Sequence, residues 1–147
     1  MNAPIGLGLR SLNILLVEDD DGDAKALQRA FLKARIANPI IRVTDGLEAL
    51  DLLRGANGVP KMASPRILIV DINMPRMNGI QFVQAIRADE DFRQSIIFIL
   101  TTSKREEDKF AVYNLNVAGY IVKATAGQDF LRLVNLMDCY WRIVELP

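Results

Sequence analysis

The chain has 147 residues and half of them are hydrophobic, which is enough for one domain whose core needs no disulfide. Its 18 basic and 18 acidic residues give a formal net charge of +0, so charge gives no reason to expect nucleic acid or an anionic membrane as a partner. One cysteine and no histidine exclude an intramolecular disulfide and Ser-His-Asp catalysis and favour a reducing cytoplasm, and no run reaches the roughly 20 apolar residues of a membrane helix.

Five short apolar segments, rich in Ile and Val, alternate with amphipathic stretches along the chain. Segments without polar alternation are typical of strands that are buried on both faces of a parallel sheet. The five predicted strands are Ile14–Val17, Ile40–Val43, Ile67–Val70, Ile96–Leu100 and Tyr120–Val122. Arg42 interrupts the second segment, which indicates that this strand lies at an edge of the sheet.

Helical patterns follow the strands, and most of them begin with a capping signal. The first has apolar residues at helical spacing: Leu27, Ala30, Phe31 and Ala34. The others begin with Asp45 and Glu48, with Asn78, with Ser103 and Glu106, and with Thr125 and Gln128; Gly55 is expected to end the second helix, and the fifth runs from about Gln128 to about Val144. Five strands alternating with five helices predict an α/β domain over residues 13–147, preceded by a short extension, residues 1–12.

Polar side chains stand where four of the strands end. Glu18 and Asp19 follow the first strand and Asp71 follows the third. Thr101 follows the fourth strand and Lys123 follows the fifth. Ligands of open α/β sheets bind at the carboxyl ends of the strands, so these groups are expected to converge on one pocket.

Three carboxylates at one edge of a sheet repel one another, and a hard divalent cation relieves that repulsion. Mg²⁺ prefers oxygen ligands and uses one or two carboxylates together with phosphate oxygens. The predicted direct ligands are Asp19, Asp71 and the backbone carbonyl of Asn73, with Glu18 acting through water. The alternative is that residues 18–23 are only the acidic start of a helix. Asp71 resists that explanation, because a carboxylate directly after a buried strand is costly to desolvate.

Phosphoryl transfer needs groups that position the phosphoryl group and neutralise its charge. Thr101 and Lys123 can supply such groups. A lysine ammonium suits one phosphoryl oxygen, and a threonine hydroxyl can donate a hydrogen bond to another. Taken singly, the two residues are an ordinary solvated lysine and a strand-end hydroxyl. Taken with the acidic residues at the other strand ends, they indicate a phosphoryl-transfer site.

Four segments carry a family resemblance: "LLVEDD", "ILIVDINMPRMNG", "FILTTS" and "GYIVKA". In their order and spacing they resemble the signature blocks of response-regulator receiver domains, over about Asn13 to Val144. The resemblance implies a flavodoxin-like fold with a five-stranded parallel sheet in the order 2-1-3-4-5 and five helices on both faces. It also implies that the chain is a stand-alone signalling module and not an enzyme, apart from its own phosphorylation and dephosphorylation.

The same resemblance assigns roles to individual residues. Asp71 would be the phosphoacceptor for a sensor histidine kinase, and Glu18 and Asp19 would be the acidic pair that helps to hold Mg²⁺. Thr101 would be the switch hydroxyl, Lys123 the invariant-type lysine, and Tyr120 the aromatic side chain that changes position on activation. The phosphorylated chain would then signal by binding a downstream protein.

A finer resemblance links the chain to the small regulators that pair with bacterial phytochromes and related histidine kinases. It rests on "VEDDDGDAKALQRAF", "TDGLEALDLLRG", "LTTSKREED" and the ending "YWRIVELP". The family usually has proline after the lysine, whereas this chain has Ala124, and a cis bond before a non-proline residue costs roughly 3–4 kcal/mol. The geometry of the Lys123–Ala124 peptide therefore stays open.

Two alternatives to a working receiver remain. A degenerate receiver would act as an adaptor without phosphorylation, and the departure at Ala124 keeps that reading open. A haloacid-dehalogenase-type phosphatase would also use an aspartate nucleophile, but it needs a second aspartate where this chain has Asn73.

The predicted fifth helix has more apolar surface than one contact can cover. Exposed apolar patches of this kind are unusual in a soluble monomer and suit an isologous dimer contact. The residues expected to form a homodimer contact are Leu136, Tyr140, Ile143, Val144 and Leu146. The alternatives are that this tail folds back on its own sheet or binds the kinase.

Overall fold

The computed structural model describes residues 13–33, 35, 38–63, 66–102 and 106–122. Strands and helices alternate along these ranges, in the order β1 (Asn13–Val17), α1 (Asp21–Lys33), β2 (Ile40–Val43), α2 (Gly46–Arg54), β3 (Arg66–Val70), α3 (Gly79–Ala88), β4 (Ile96–Thr101), α4 (Glu106–Tyr113) and β5 (Gly119–Val122). The predicted fifth helix lies outside the described residues, as do the predicted caps Ser103 and Thr125.

All neighbouring strands pair in parallel, and the sheet has the order β2-β1-β3-β4-β5. This confirms the predicted strand order and the predicted edge position of the strand that contains Arg42. The central strands β1 and β3 each bury four of their five residues, as expected of strands with helices on both faces.

The sheet separates two apolar clusters because successive side chains of a strand point to opposite faces. Leu15 and Val17 of β1 belong to one cluster, which includes Phe82 of α3. Ile14 and Leu16 belong to the other, which includes Leu27 and Phe31 of α1. The helices thus cover both faces of the sheet and leave its carboxyl edge for polar groups.

The local helix signals are found where the sequence predicts them. The Asp45 side chain caps α2 by accepting a hydrogen bond from the Glu48 backbone N–H, and Gly55 ends that helix with a left-handed φ of 66°. Asn78 and Gln81 form a reciprocal capping box at the start of α3. None of the helices in the described part of the chain is both long enough and apolar enough to span a bilayer.

Candidate functional site

Three carboxylates meet at the carboxyl edge of the sheet. One oxygen from each of Glu18, Asp19 and Asp71 lies within 4.8 Å of the other two. Glu18 is 2 % exposed and Asp71 is 7 % exposed, whereas Asp19 is open to solvent. At this separation two ionised carboxylates repel by about 3 kcal/mol for an effective dielectric constant of about 20. The cluster therefore favours a bound cation, and its donor set of carboxylate oxygens fits a hard divalent ion.

The sheet itself holds the two buried carboxylates in place. The Glu18 backbone N–H donates to the Val43 carbonyl at 3.0 Å, so β1 stays paired with β2 up to this residue. The Asp71 N–H donates to the Val17 carbonyl at 3.0 Å, which extends the pairing of β3 with β1 in the same way. Both side chains thus leave the sheet from backbone positions that ladder hydrogen bonds fix.

The acidic run after β1 divides into residues with different roles. Asp20 caps α1, because its carboxylate accepts a hydrogen bond from the Asp23 N–H at 2.8 Å. Asp21 forms an ion pair with Arg42 at 2.7 Å. The reading of the run as an acidic helix start is therefore right for Asp20 and Asp21, while Glu18 and Asp19 belong to the carboxylate cluster.

Arg42 links the edge strand to the loop that carries this cluster. Its Nε donates to the Glu18 carbonyl at 2.8 Å, and its guanidinium also binds the Asp21 carboxylate. The hydrogen bond and the charge of Arg42 hold the pKa of Asp21 below its usual value. The sequence identified Arg42 only as an edge-strand marker.

The chain turns sharply after Asp71, and Gly79 makes this turn possible. The Gly79 N–H donates to the Ile72 carbonyl at 2.8 Å, which brings the start of α3 against the end of β3. A Cβ atom on Gly79 would lie 2.2 Å from the Asp71 carbonyl oxygen, so no other residue fits without a backbone shift. Within the turn, the Asn73 N–H lies 3.4 Å from Asp71 Oδ1.

The same turn is attached to the start of α2. Arg76 donates to Asp45 Oδ2 from Nε at 2.7 Å and also from Nη2, and the Gly46 N–H lies 3.3 Å from the Met77 carbonyl. Burial acts to raise the pKa of Asp45, but hydrogen bonds from the Glu48 N–H and from Arg76 outweigh burial and hold this pKa below its usual value. Sequence reasoning missed this pair, because nothing local links two residues 31 positions apart.

Of the remaining predicted site residues, Thr101 and Tyr120 lie within the described residues. Thr101 is fully buried at the end of β4, next to β3, and pairs in register with Val122 of β5. Tyr120 is half-buried, and its backbone N–H donates to the Tyr113 hydroxyl at 3.1 Å. The centroids of the two tyrosine rings are 6.5 Å apart. Lys123, Ala124 and the five residues predicted for a dimer contact lie outside the described residues.

A family model for the response regulator receiver domain matches residues 14–135. The chain is 30% identical over 135 residues to the response regulator Rcp1 of Synechocystis sp., covering 91% of this chain and 92% of that protein. This fold and this sequence place the chain in the response regulator receiver domain family, whose members serve two-component signalling.

Solved structures agree with the family and with the finer resemblance. The phosphorylated cyanobacterial phytochrome response regulator RcpA has a TM-score of 0.82 and 28% identity, over 92% of this chain and 97% of that one. The Mn²⁺-bound form of Rcp1 has a TM-score of 0.80 and 30% identity, over 94% and 99%. RPA3017, from red light signalling of R. palustris, has a TM-score of 0.79 and 29% identity, over 92% and 97%.

Proposed function

We propose that Asp71 accepts a phosphoryl group from a phosphohistidine of a sensor histidine kinase and that the phosphorylated chain signals by binding another protein. One observation carries this proposal: the oxygens of Glu18, Asp19 and Asp71 lie within 4.8 Å of one another at the edge of a receiver fold. Because the chain contains no histidine, the donor must be supplied by a partner.

The residues present fit Mg²⁺, the cation proposed here. Asp19 and Asp71 would hold it directly with carboxylate oxygens, Glu18 would act through a water molecule, and Asn73 would add its backbone carbonyl. When bound, such a cation neutralises charge on the phosphoryl oxygens. The Mn²⁺-bound form of Rcp1 supports a divalent cation in a related chain.

The chemistry at the protein side consists of one nucleophile and its supporting groups. An oxygen of the Asp71 carboxylate forms the new P–O bond while the P–N bond of the donor breaks, and the bonding electron pair leaves with the imidazole nitrogen. Phosphoryl transfer depends mainly on positioning, and the ladder bond from Asp71 to Val17 fixes the nucleophile. Thr101 and Lys123 are proposed to bind phosphoryl oxygens.

The response to phosphorylation is proposed to run through Thr101 and Tyr120. A hydroxyl drawn toward the phosphoryl group would leave space beside β5, where Tyr120 pairs with Ile99 of β4. The Tyr113 ring lies beside the Tyr120 ring and is partly exposed, so a movement of Tyr120 would alter the surface of α4. Beyond its own phosphorylation and dephosphorylation, no catalysis is proposed.

The kinase is proposed to be of the phytochrome type and the reaction to take place in the cytoplasm. Similarity to RcpA, a phytochrome response regulator, and to RPA3017, from red light signalling, supports this partner. The single cysteine and balanced charge are compatible with a reducing compartment.

The decisive experiment measures the acyl-phosphate label on the chain after incubation with acetyl phosphate or a phosphorylated kinase. Wild type should take up one acyl phosphate in Mg²⁺ and none in EDTA, and Asp71→Asn should take up none. Asp91→Asn, which removes an exposed carboxylate elsewhere, is the matched control and should label like wild type. Undiminished acyl-phosphate label in Asp71→Asn would refute the acceptor assignment, and an unlabelled wild type that still binds its partner would favour the adaptor alternative.

A further inference from the structure

The loop between β3 and α3, residues 71–78, is attached to its neighbours along its whole length. At its end, the Gly79 N–H donates to the Ile72 carbonyl at 2.8 Å. In its middle, Arg76 binds the Asp45 carboxylate, with Nε at 2.7 Å from Oδ2, and the Met77 carbonyl accepts from the Gly46 N–H at 3.3 Å. Two of these attachments lead to the start of α2, so α2 helps to determine where this loop lies.

The receiving carboxylate is rigid and buried. Asp45 is 3 % exposed, and its Oδ1 already accepts the Glu48 N–H at 3.0 Å as the cap of α2. A buried carboxylate that loses a charged partner is left poorly compensated, so the pair with Arg76 is expected to persist. The Arg76 side chain, by contrast, is 58 % exposed, which allows it to be substituted without opening the core.

The backbone of Arg76 is in a conformation that an arginine does not favour. Its φ of 61° lies in the left-handed region, where glycine is unstrained and side chains with a Cβ are not. This conformation is unfavourable for a residue with a Cβ, and the contacts of the residue must offset that cost. Here the strained residue is the one that reaches the Asp45 carboxylate.

The loop also carries atoms of the phosphoryl site. It begins with Asp71 and contains Asn73, whose N–H lies 3.4 Å from Asp71 Oδ1. A displacement of this loop would therefore move a proposed metal ligand and a hydrogen-bond donor to the phosphoacceptor together.

We propose that Arg76 is a positioning residue for the phosphoryl site: its ion pair with Asp45 holds residues 71–78 so that Asp71 and Asn73 are arranged to bind the divalent cation. This inference rests on the proposed function. It assigns to Arg76 and Asp45 a role in cation binding without direct contact with the cation.

The test compares two arginines with the same backbone conformation. Arg76→Gly removes the guanidinium and relieves the strained φ, and Arg35→Gly does the same at an exposed arginine with a φ of 59° beyond the end of α1. Arg35 has no side-chain partner among the described residues. For each variant, calorimetric titration with Mg²⁺ gives the dissociation constant, and thermal unfolding in EDTA gives the midpoint without metal.

We expect Arg76→Gly to weaken Mg²⁺ binding roughly tenfold, the size typical for residues that orient metal ligands, while Arg35→Gly binds like wild type. The unfolding midpoint in EDTA should be lower for Arg76→Gly than for Arg35→Gly, because only Arg76→Gly leaves the buried Asp45 carboxylate without its charged partner. Arg76→Lys, which keeps a cation, should recover part of the affinity. A purely structural role would lower the midpoint of Arg76→Gly but leave its Mg²⁺ affinity at the wild-type value, measured at a temperature where the variant is folded.

A second variant covers the case that Arg76→Gly unfolds. Asp45→Asn retains a good helix cap and removes the charge that Arg76 binds, so it should weaken Mg²⁺ binding to a similar extent. Combining it with Arg76→Gly should cause little further loss, because both remove the same interaction. Unchanged Mg²⁺ affinity in the folded variants overturns the proposal alone, whereas a wild-type chain that binds no Mg²⁺ overturns the proposed function as well.

Discussion

Asp45 is a single buried carboxylate that joins two elements of the fold. It caps α2 through the Glu48 N–H and binds Arg76 of the loop after β3. Capping residues usually satisfy only the helix they begin, and their loss costs about 1 kcal/mol. Because Asp45 also compensates an arginine, its protonation is expected to weaken both contacts at once.

Asp45 should therefore contribute to the pH dependence of stability. The pKa of Asp45 is lowered in the folded chain. The charged form therefore stabilises the folded chain above the pKa of the unfolded chain, about 3.9. This stabilisation is lost as the pH falls through the pKa of the folded chain. We expect the free energy of unfolding of wild type to fall more steeply below about pH 5 than that of Asp45→Asn. Urea denaturation over a pH series measures this. Asp91→Asn is the control, and parallel curves for wild type and Asp45→Asn would contradict the prediction.

The backbone around position 79 leaves room only for glycine. A Cβ at this position would lie 2.2 Å from the Asp71 carbonyl oxygen and 2.7 Å from the Ile72 Cα, both backbone atoms that cannot rotate away. We expect Gly79→Ala to lower the free energy of unfolding by roughly 1–3 kcal/mol, the usual cost of overpacking, and to slow labelling of Asp71.

Gly22→Ala is a suitable control for Gly79→Ala because it also adds a methyl group in the first turn of a helix. There the new Cβ would meet only Asp20 Oδ2 at 3.2 Å, a side-chain atom that also accepts the Asp23 N–H as the cap of α1. It should lose less stability than Gly79→Ala, because a side-chain oxygen can shift where backbone atoms cannot and because alanine favours a helix over glycine. Equal stability of the two variants in chemical denaturation would show that the close approach at Gly79 is readily relieved.

The edge strand β2 contributes to the site through one residue. Charged side chains are common on edge strands, where they discourage pairing with other chains. Arg42 has an additional role here, because its guanidinium binds the Glu18 carbonyl and the Asp21 carboxylate and so attaches the β1–α1 loop to β2. Through Arg42, the edge strand β2 helps to position Glu18 and Asp21, which follow the neighbouring strand β1.

This attachment can be measured through the titration of Asp21. The hydrogen bond from Arg42 and its charge lower the pKa of Asp21, so Arg42→Gln should move this pKa upward, toward its usual value. An NMR titration of the side-chain carboxyl carbons measures the shift, with Asp21→Asn to assign the resonance. Arg29→Gln, at an exposed arginine on α1, should leave the pKa of Asp21 in place. An unchanged pKa in Arg42→Gln would mean that the ion pair does not persist in solution.

At the scale of the whole molecule, assembly remains a prediction from the sequence. The five residues expected to form a dimer contact lie outside the described residues, and the apolar pattern of the C-terminal segment is the basis for expecting a homodimer. We expect the full-length chain to sediment as a dimer and a chain that ends at Tyr140 to sediment as a monomer. Light scattering at matched concentrations is an independent measurement. A monomeric full-length chain, or a truncated chain that dimerises equally well, would exclude the C-terminal contact.

Much of this protein is determined by patterns within short stretches of sequence. Strands such as Ile67–Val70 are recognisable because burial on both faces leaves no polar alternation. The caps at Asp45 and Asn78 are recognisable because each binds a backbone N–H three residues ahead. The carboxylate cluster follows from the same logic, since the ends of parallel strands meet at one edge and Glu18 and Asp71 stand directly after two of them.

The contacts that hold the loops around the site are visible only in the folded chain. Arg76 and Asp45 are 31 positions apart, and Arg42 and the Glu18 carbonyl are 24 apart. Within its own segment, each of these arginines fits an exposed, unpaired position as well as a paired one. No local pattern therefore identifies the residue that it binds. The physical reason is that an ion pair depends on distance in space, which is fixed only after the sheet has brought the strand ends together.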